Sequence, residues 1–353
     1  MKLKKFFAGV VAAAMMLTMG ATAAFAEEPV APTTGVEISK VYKLEGAGTS
    51  PAETFNFSIV ANAVSNAATG VTKDTMPVPT IGSAAYTVED GATATGNEKK
   101  VAIDFTKEGN LIYNSVGVYD YTVSEVTPVT PEKETLGVVY DTKTYTMRVV
   151  VVNGETRGTY KINSVKFFEG TNSSNKTDSV TFTNTYTANA LTVSKTVTGA
   201  LGDKTKDFHF TVNFANENEA KAWTNAITMK KTNQNNETSD LTLDAQNGFT
   251  LKDGESVTFG NIPAGLKYTV TEDDSYVAEG YKTYVLNGDE KTETRTSEGT
   301  MTATAATSAF ENNKGGEIDT GVILDNAPYI ALLAIVAFGG VALILNKRRR
   351  DEE

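Results

Sequence analysis

Residues 180–197 read Val-Thr-Phe-Thr-Asn-Thr-Tyr-Thr-Ala-Asn-Ala-Leu-Thr-Val-Ser-Lys-Thr-Val, and their alternation decides the fold. Val180, Phe182, Asn184 and Tyr186 fall on one side of an extended chain, and Thr181, Thr183 and Thr185 on the other. After a short polar break, Thr187 to Asn189, a second run puts Leu191, Val193, Lys195 and Val197 on one face. A period of two marks a half-buried strand in each run. Each run also carries one polar residue among the apolar ones, Asn184 in the first and Lys195 in the second. A lysine is almost never buried without a partner, so the rest of the chain has to supply one.

Around this stretch the pattern is the same throughout. Val101 to Phe105 and Val118 to Val123 alternate, and Tyr145 to Val152 is a nearly continuous apolar strand closed by a hairpin signal at Asn153-Gly154. Asn247-Gly248 and Asp253-Gly254 mark further turns. Only Asn216 to Ala226, around Trp223, reads as a helix. Many short strands with frequent turns give an all-β class, two tandem immunoglobulin-like β-sandwich domains.

Two domains follow from an internal repeat. Glu37-Ile38-Ser39-Lys40 is echoed by Thr192-Val193-Ser194-Lys195, and Phe55-Asn56-Phe57 by Phe208-His209-Phe210. Tyr121-Thr122-Val123-Ser124-Glu125 is echoed by Tyr268-Thr269-Val270-Thr271-Glu272, and Phe182-Thr183-Asn184 by Phe310-Glu311-Asn312. The order Lys, Phe-x-Phe, Glu, Asn is common to both halves, which places the domains at about 30–187 and 190–314.

The termini are of another kind. Lys2, Lys4 and Lys5, an apolar core from Phe6 to Met19 and a small-x-small site at Ala24-Phe25-Ala26 form a signal peptide over residues 1–26. Residues 327–345 are uncharged and long enough to span a bilayer, and Lys347, Arg348, Arg349 and Arg350 follow on the cytoplasmic side. Ahead of the span, residues 317–321 read Glu-Ile-Asp-Thr-Gly. A Thr-Gly motif, an apolar span and a basic tail in that order resemble the cell-wall sorting signal of Gram-positive sortase substrates, here residues 315–353. The usual motif is Leu-Pro-x-Thr-Gly, and Ile318 stands where its proline would be. The reactive pair, Thr320 and Gly321, is intact.

Composition narrows the function. The chain has no cysteine, so an exported protein must be stabilised by something other than disulfides. Without the signal peptide and the residues after Thr320 the charge is about −14, which argues against nucleic acid and anionic membrane as partners. No phosphate loop, zinc spacing or calcium loop occurs, and nothing calls for a cofactor or a metal. Glu272-Asp273-Asp274 is an acidic turn of the kind that faces water, and His209, with no serine–acid arrangement around it, is a surface residue.

Strand parity then isolates one chemistry. Lys40 is in phase with Val36 and Ile38, and Glu125 with Tyr119, Tyr121 and Val123. Lys195, Glu272, Asn184 and Asn312 likewise point with apolar neighbours. Asn313 is adjacent to Asn312, and parity favours Asn312. Burial lowers a lysine pKa and raises that of a glutamate, and a neutral amine is a nucleophile. A protonated glutamate can donate a hydrogen bond to the asparagine carboxamide oxygen and polarise it. The expected product is a Lys–Asn isopeptide bond with loss of ammonia, Lys40 to Asn184 through Glu125 and Lys195 to Asn312 through Glu272. A buried but unlinked Lys–Glu ion pair is the competing reading, and such a pair stabilises poorly.

These residues, with Leu-Lys-Asp-Gly-Glu-Ser at 251–256, Tyr-Thr-Val-Thr-Glu-Asp-Asp at 268–274 and Ala-Pro-Tyr-Ile-Ala-Leu at 327–332, resemble the sortase-assembled backbone pilins of Gram-positive bacteria. The resemblance is greatest to the streptococcal T-antigen type built from two isopeptide-linkage domains. It implies a structural subunit rather than an enzyme, exported and anchored to the cell wall. It implies sortase, further copies of the chain joined head to tail, a tip or basal pilin, and peptidoglycan as partners. It also implies a lysine that accepts the Thr320 carbonyl. Lys176, in the polar loop before the last strand of the first domain and after the pair Glu169-Gly170, fits by context; Lys166, within a strand, is the rival. The Tyr-Pro-Lys motif of other backbone pilins is absent. The alternative is a monomeric wall-anchored adhesin or stalk, which would show no covalent ladder.

Overall fold

The computed structural model describes residues 36–106, 111–129, 131–171 and 175–315. The expected signal peptide, Thr320, Gly321, the span 327–345 and the basic tail lie outside them. Among the described residues no helix is long and apolar enough to cross a membrane.

The chain is almost entirely strand. Its first part forms β1 (Glu37–Gly46), β2 (Glu53–Ser65), β3 (Thr80–Ile81), β4 (Ser83–Tyr86), β5 (Asn97–Asp104) and β6 (Gly117–Val126). There follow β7 (Glu134–Thr135), β8 (Val138–Val139), β9 (Thr144–Asn153), β10 (Tyr160–Glu169), β11 (Lys176–Thr177) and β12 (Thr181–Thr198). The second part forms β13 (Phe208–Ala215), β14 (Lys221–Ala222), β15 (Thr228–Thr232), β16 (Thr238–Asp240), β17 (Gly248–Leu251) and β18 (Ser256–Pro263). It ends with β19 (Lys267–Glu272), one helical turn α1 (Ser275–Ala278), β20 (Tyr281–Asn287), β21 (Glu290–Glu293), β22 (Thr296–Thr300) and β23 (Ala306–Lys314).

The polar break expected at Thr187–Asn189 is not a break. β12 runs unbroken through both halves, and its ladder to β18 shifts register between Asn189 and Leu191. Apart from Thr187 and Ser194, the buried side chains lie at even positions before that irregularity (Phe182, Asn184, Tyr186, Ala188, Ala190) and at odd positions after it (Leu191, Val193, Lys195, Val197). A bulge inserts one residue and re-aims the side chains that follow. One strand therefore serves two cores.

Those cores are the two main clusters of buried apolar residues. One runs from Ile38 to Ala188; the other takes Leu136 and then Leu191 to Phe310. In the first half, β12 lies between β1 and β8, and β11-β10-β9-β6-β2-β4 forms the facing sheet. In the second half, β12 lies between β18 and β23, and β17-β13-β19-β22 faces it. The alternation of β6, with Tyr119, Tyr121 and Val123 inward, is what drives that stacking. β1 and β23 both run parallel to β12, so each half closes with its first and last strands side by side. Gly46, at the end of β1, has φ +86°, and a Cβ there would meet the Ala188 carbonyl oxygen at 2.1 Å; Gly199, just past β12, has φ +86° and would meet that of Lys314 at 2.5 Å. Only glycine tolerates both demands.

The halves are joined by more than β12. Asn261 Oδ1 accepts the Thr49 N–H at 2.9 Å, and Asn225 donates to the Thr49 carbonyl at 2.6 Å and to the Tyr186 hydroxyl at 3.1 Å. β7 and β14 pair in parallel across the junction.

Two local expectations are corrected. Asn216 to Ala226 is not helical: Asn216 Oδ1 accepts the Asn218 N–H, Asn218 Oδ1 accepts that of Ala220, and Asn216 Nδ2 donates to the Lys221 carbonyl. Asn side chains that capture nearby backbone groups turn the chain instead of letting it coil. Lys176 does not stand in an open loop but opens the two-residue strand β11, opposite Phe168 of β10.

Candidate functional site

In each core a lysine, a glutamate and an asparagine meet, and the ladder fixes the relation of lysine to asparagine. Lys40 of β1 stands opposite Phe182 of β12, two residues before Asn184. Lys195 of β12 stands opposite Phe310 of β23, two residues before Asn312. Lysine and asparagine thus point the same way from adjacent strands, since residues two apart share a face. The glutamates come from the facing sheets, Glu125 from β6 and Glu272 from β19. Lys40, Lys195, Asn184, Asn312 and Glu272 are 0% exposed, and Glu125 is buried.

In the first half, Lys40 Nζ donates to Glu125 Oε2 at 2.5 Å, and Asn184 Nδ2 donates to Glu125 Oε1. In the second, Lys195 Nζ lies 3.1 and 3.3 Å from the two Glu272 oxygens, and Asn312 Nδ2 donates to Oε1. One carboxyl therefore bridges amine and carboxamide in each half. The amines are roofed by aromatic rings: Lys40 Nζ is 4.3 Å from the Phe55 ring centroid and Lys195 Nζ 4.2 Å from that of Phe208.

Burial dominates the charge state. It pushes both lysines down to about 8, against the opposing pull of the paired glutamate. It pushes Glu125 and Glu272 up, again against the lysine. Both shifts favour the neutral pair, a free amine beside a protonated carboxyl.

The contact between glutamate and carboxamide differs from the one expected. Asn184 Oδ1 accepts the backbone N–H of Asp141 at 2.8 Å, so the carboxamide turns its nitrogen, not its oxygen, to Glu125. The carboxyl faces the group that would leave, and a main-chain donor polarises the carbonyl. Asp141 is held there by its own carboxylate, which accepts the Thr183 N–H at 2.7 Å. A backbone donor leaves no trace in the pattern of side chains, which is why Asp141 was not expected. The role of Phe55 and Phe208 was foreshadowed only by the Phe-x-Phe repeat.

Asn313 is turned away and donates to the Thr198 hydroxyl at 3.0 Å. Lys176 is exposed and lies 3.0 Å from Asp178, whereas Lys166 is half-buried in mid-strand, opposite Arg148. His209 is exposed on β13. In the acidic turn, Asp273 accepts the Ser275 N–H, and among the described residues no cluster of acidic or histidine side chains is placed to hold a metal.

Residues 36–187 match the family model described as a Spy0128-like isopeptide containing domain, and residues 189–314 one described only as a domain of unknown function. A pilin of Streptococcus pyogenes serotype M1 is 33% identical over 268 residues, covering 71% of this chain and 73% of its own. The crystal structure of the major pilin from Streptococcus pyogenes is similar at a TM-score of 0.54 and 26% identity, covering 80% of this chain and 99% of that one. The major pilin protein T3.2 from Streptococcus pyogenes serotype GAS13637 gives 0.52 and 25%, covering 79% and 98%.

Proposed function

The chain belongs to the Spy0128-like pilin family, and on that footing we infer that it is the backbone subunit of a cell-surface pilus, joined head to tail by sortase and braced by two self-formed isopeptide bonds.

The observation that carries this reading is the duplicated buried triple in one register. The free Lys40 amine attacks Asn184 Cγ, and the Asp141 N–H steadies the oxyanion that develops on Oδ1. The amine proton passes through the Glu125 carboxyl to Nδ2; the Cγ–Nδ2 bond breaks, ammonia leaves, and the Nζ–Cγ amide remains. Lys195, Glu272 and Asn312 repeat the step. Each glutamate ends as it began, but each site turns over once, so the protein is a structural subunit rather than an enzyme.

Assembly rests on where the ends lie. Lys176 precedes the start of β12, and Lys314 pairs beside its end, where the Leu201 N–H donates to the Lys314 carbonyl. At about 3.3 Å per residue the two ends of β12 are at most ~56 Å apart. An acceptor lysine at one pole and a chain leaving toward Thr320 at the other suit head-to-tail joining of Thr320 to Lys176. The precursor waits in the membrane on residues 327–345, and peptidoglycan receives the last subunit.

Intact mass of the purified ectodomain tests the bonds: it should fall short of the sequence mass by two ammonia molecules, with Glu125→Ala and Glu272→Ala each restoring one. A wild-type mass with no deficit rejects the reading.

A further inference from the structure

The two triples are not built alike. In the first half the asparagine carbonyl has its donor, the Asp141 N–H. In the second, Asn312 Oδ1 is buried without a hydrogen-bond partner. Among the described residues only four buried side-chain atoms share that condition: Tyr42 Oη, Trp223 Nε1, Thr283 Oγ1 and Asn312 Oδ1. Two of the four belong to residues directly opposite one another, for Thr283 of β20 is the cross-strand partner of Asn312 of β23.

Directly opposed residues on antiparallel strands point to the same side, with Cβ atoms about 4.5–5.5 Å apart. Both side chains here point into the core; Thr283 is 4% exposed. Its hydroxyl also lies near the Glu272 carboxyl, whose proton affinity it lowers, though it makes no hydrogen bond there of proper distance and angle. The Thr283 hydroxyl and Asn312 Oδ1 do not meet in this structure, and a turn of the threonine about its Cα–Cβ bond is the movement that would join them. The carboxyl already receives Lys195 and Asn312, whereas the carbonyl receives nothing.

We propose that the Thr283 hydroxyl does for Asn312 what the Asp141 N–H does for Asn184: it donates to Oδ1, holds the carboxamide nitrogen toward Glu272, and stabilises the oxyanion as Lys195 attacks. The topology explains the exchange of a main-chain donor for a side chain. In the first half the asparagine strand is flanked by the short β8, and Asp141, just past it, has its N–H free of any ladder to give to Asn184. In the second it is flanked by β20, whose own backbone is committed to the ladder, so the side chain must serve. Thr283 moves no proton; it shares one, and the ammonia balance of the step is unchanged.

This assignment rests on the isopeptide reading above, and the two can be told apart. Unlinked chains dissolved from inclusion bodies in urea are refolded at neutral pH, and the linked peptides containing Lys195–Asn312 and Lys40–Asn184 are followed over time by mass spectrometry. Trp223 emission reports folding of the second half in the same tube. Thr283→Val should slow the second link by roughly ten- to a hundredfold, in the range of removing one oxyanion donor, and leave the first unchanged. Thr283→Ser, which keeps the hydroxyl, should restore most of the rate. A second link that forms in Thr283→Val as fast as in wild type overturns the proposal, as does a Thr283→Ser variant as slow as Thr283→Val. If wild type itself never forms the second link, the isopeptide reading of that half falls, and the role of Thr283 with it.

Discussion

Lys195 faces Phe310 across a parallel ladder, two residues short of Asn312, and Lys40 holds that same register to Phe182 and Asn184. An amine and a carboxamide so placed are neighbours before any chemistry takes place. The backbone does the positioning, and a glutamate from the opposite sheet touches both groups.

Stability should record the first link. Asn184→Ala keeps the Lys40–Glu125 pair but leaves open a loop of about 144 residues, which by chain entropy is worth up to about 5 kcal/mol. Calorimetry should show the transition of the first half lowered by about 10–15 °C. An unchanged transition would mean that the link was never there.

The rate of link formation should be bell-shaped in pH. The productive pair holds one proton, with the amine free and the carboxyl protonated. Below the raised pKa of Glu125 a second proton is bound and the amine becomes ammonium. Above about 8, where burial has set the Lys40 pKa, the pair loses its shared proton and the leaving nitrogen has no donor. Refolding unlinked chains across this range and weighing the product gives the profile. A rate still climbing well above the Lys40 value would sink the shared-proton mechanism.

Lys176→Ala should abolish the boiling-resistant ladder on a denaturing gel while both internal links still form. Lys166→Ala should leave the ladder intact. If the dependence is reversed, Lys166 is the acceptor; if the ladder survives both, the acceptor is another lysine.

Thr320→Ala should leave the protein in the membrane fraction and remove it from the wall fraction. Equal amounts in the wall would place the cleavage elsewhere than Thr320–Gly321.

Much of this was legible because burial in a strand has period two. Lys40, Glu125, Asn184 and their counterparts betray themselves by parity alone, and a repeat of the same three types makes the coincidence hard to dismiss. What was not legible depends on geometry that spacing does not encode. The run Thr187–Asn189 looks like a polar break, yet it leads into a bulge, because a change of phase and a break leave the same trace in a sequence. Asn216 and Asn218 look tolerable in a helix until their amides are seen taking backbone partners. Asp141 contributes an N–H that any residue but proline could offer. Lys176 pairs with Phe168 through backbone groups that its side chain does not announce.

The continuity of β12 has a mechanical meaning. A pull applied between Lys176 and the exit at Lys314 enters β12 at its start and travels along it to Lys195. With the second link formed, it crosses directly to Asn312 and leaves two residues later. Residues 196–311 are then spared, and residues 36–175 were never on the route. In a fibre joined through Thr320 and Lys176, as proposed, the second link would bear the load, while the first would bear none of it and only hold its own half closed.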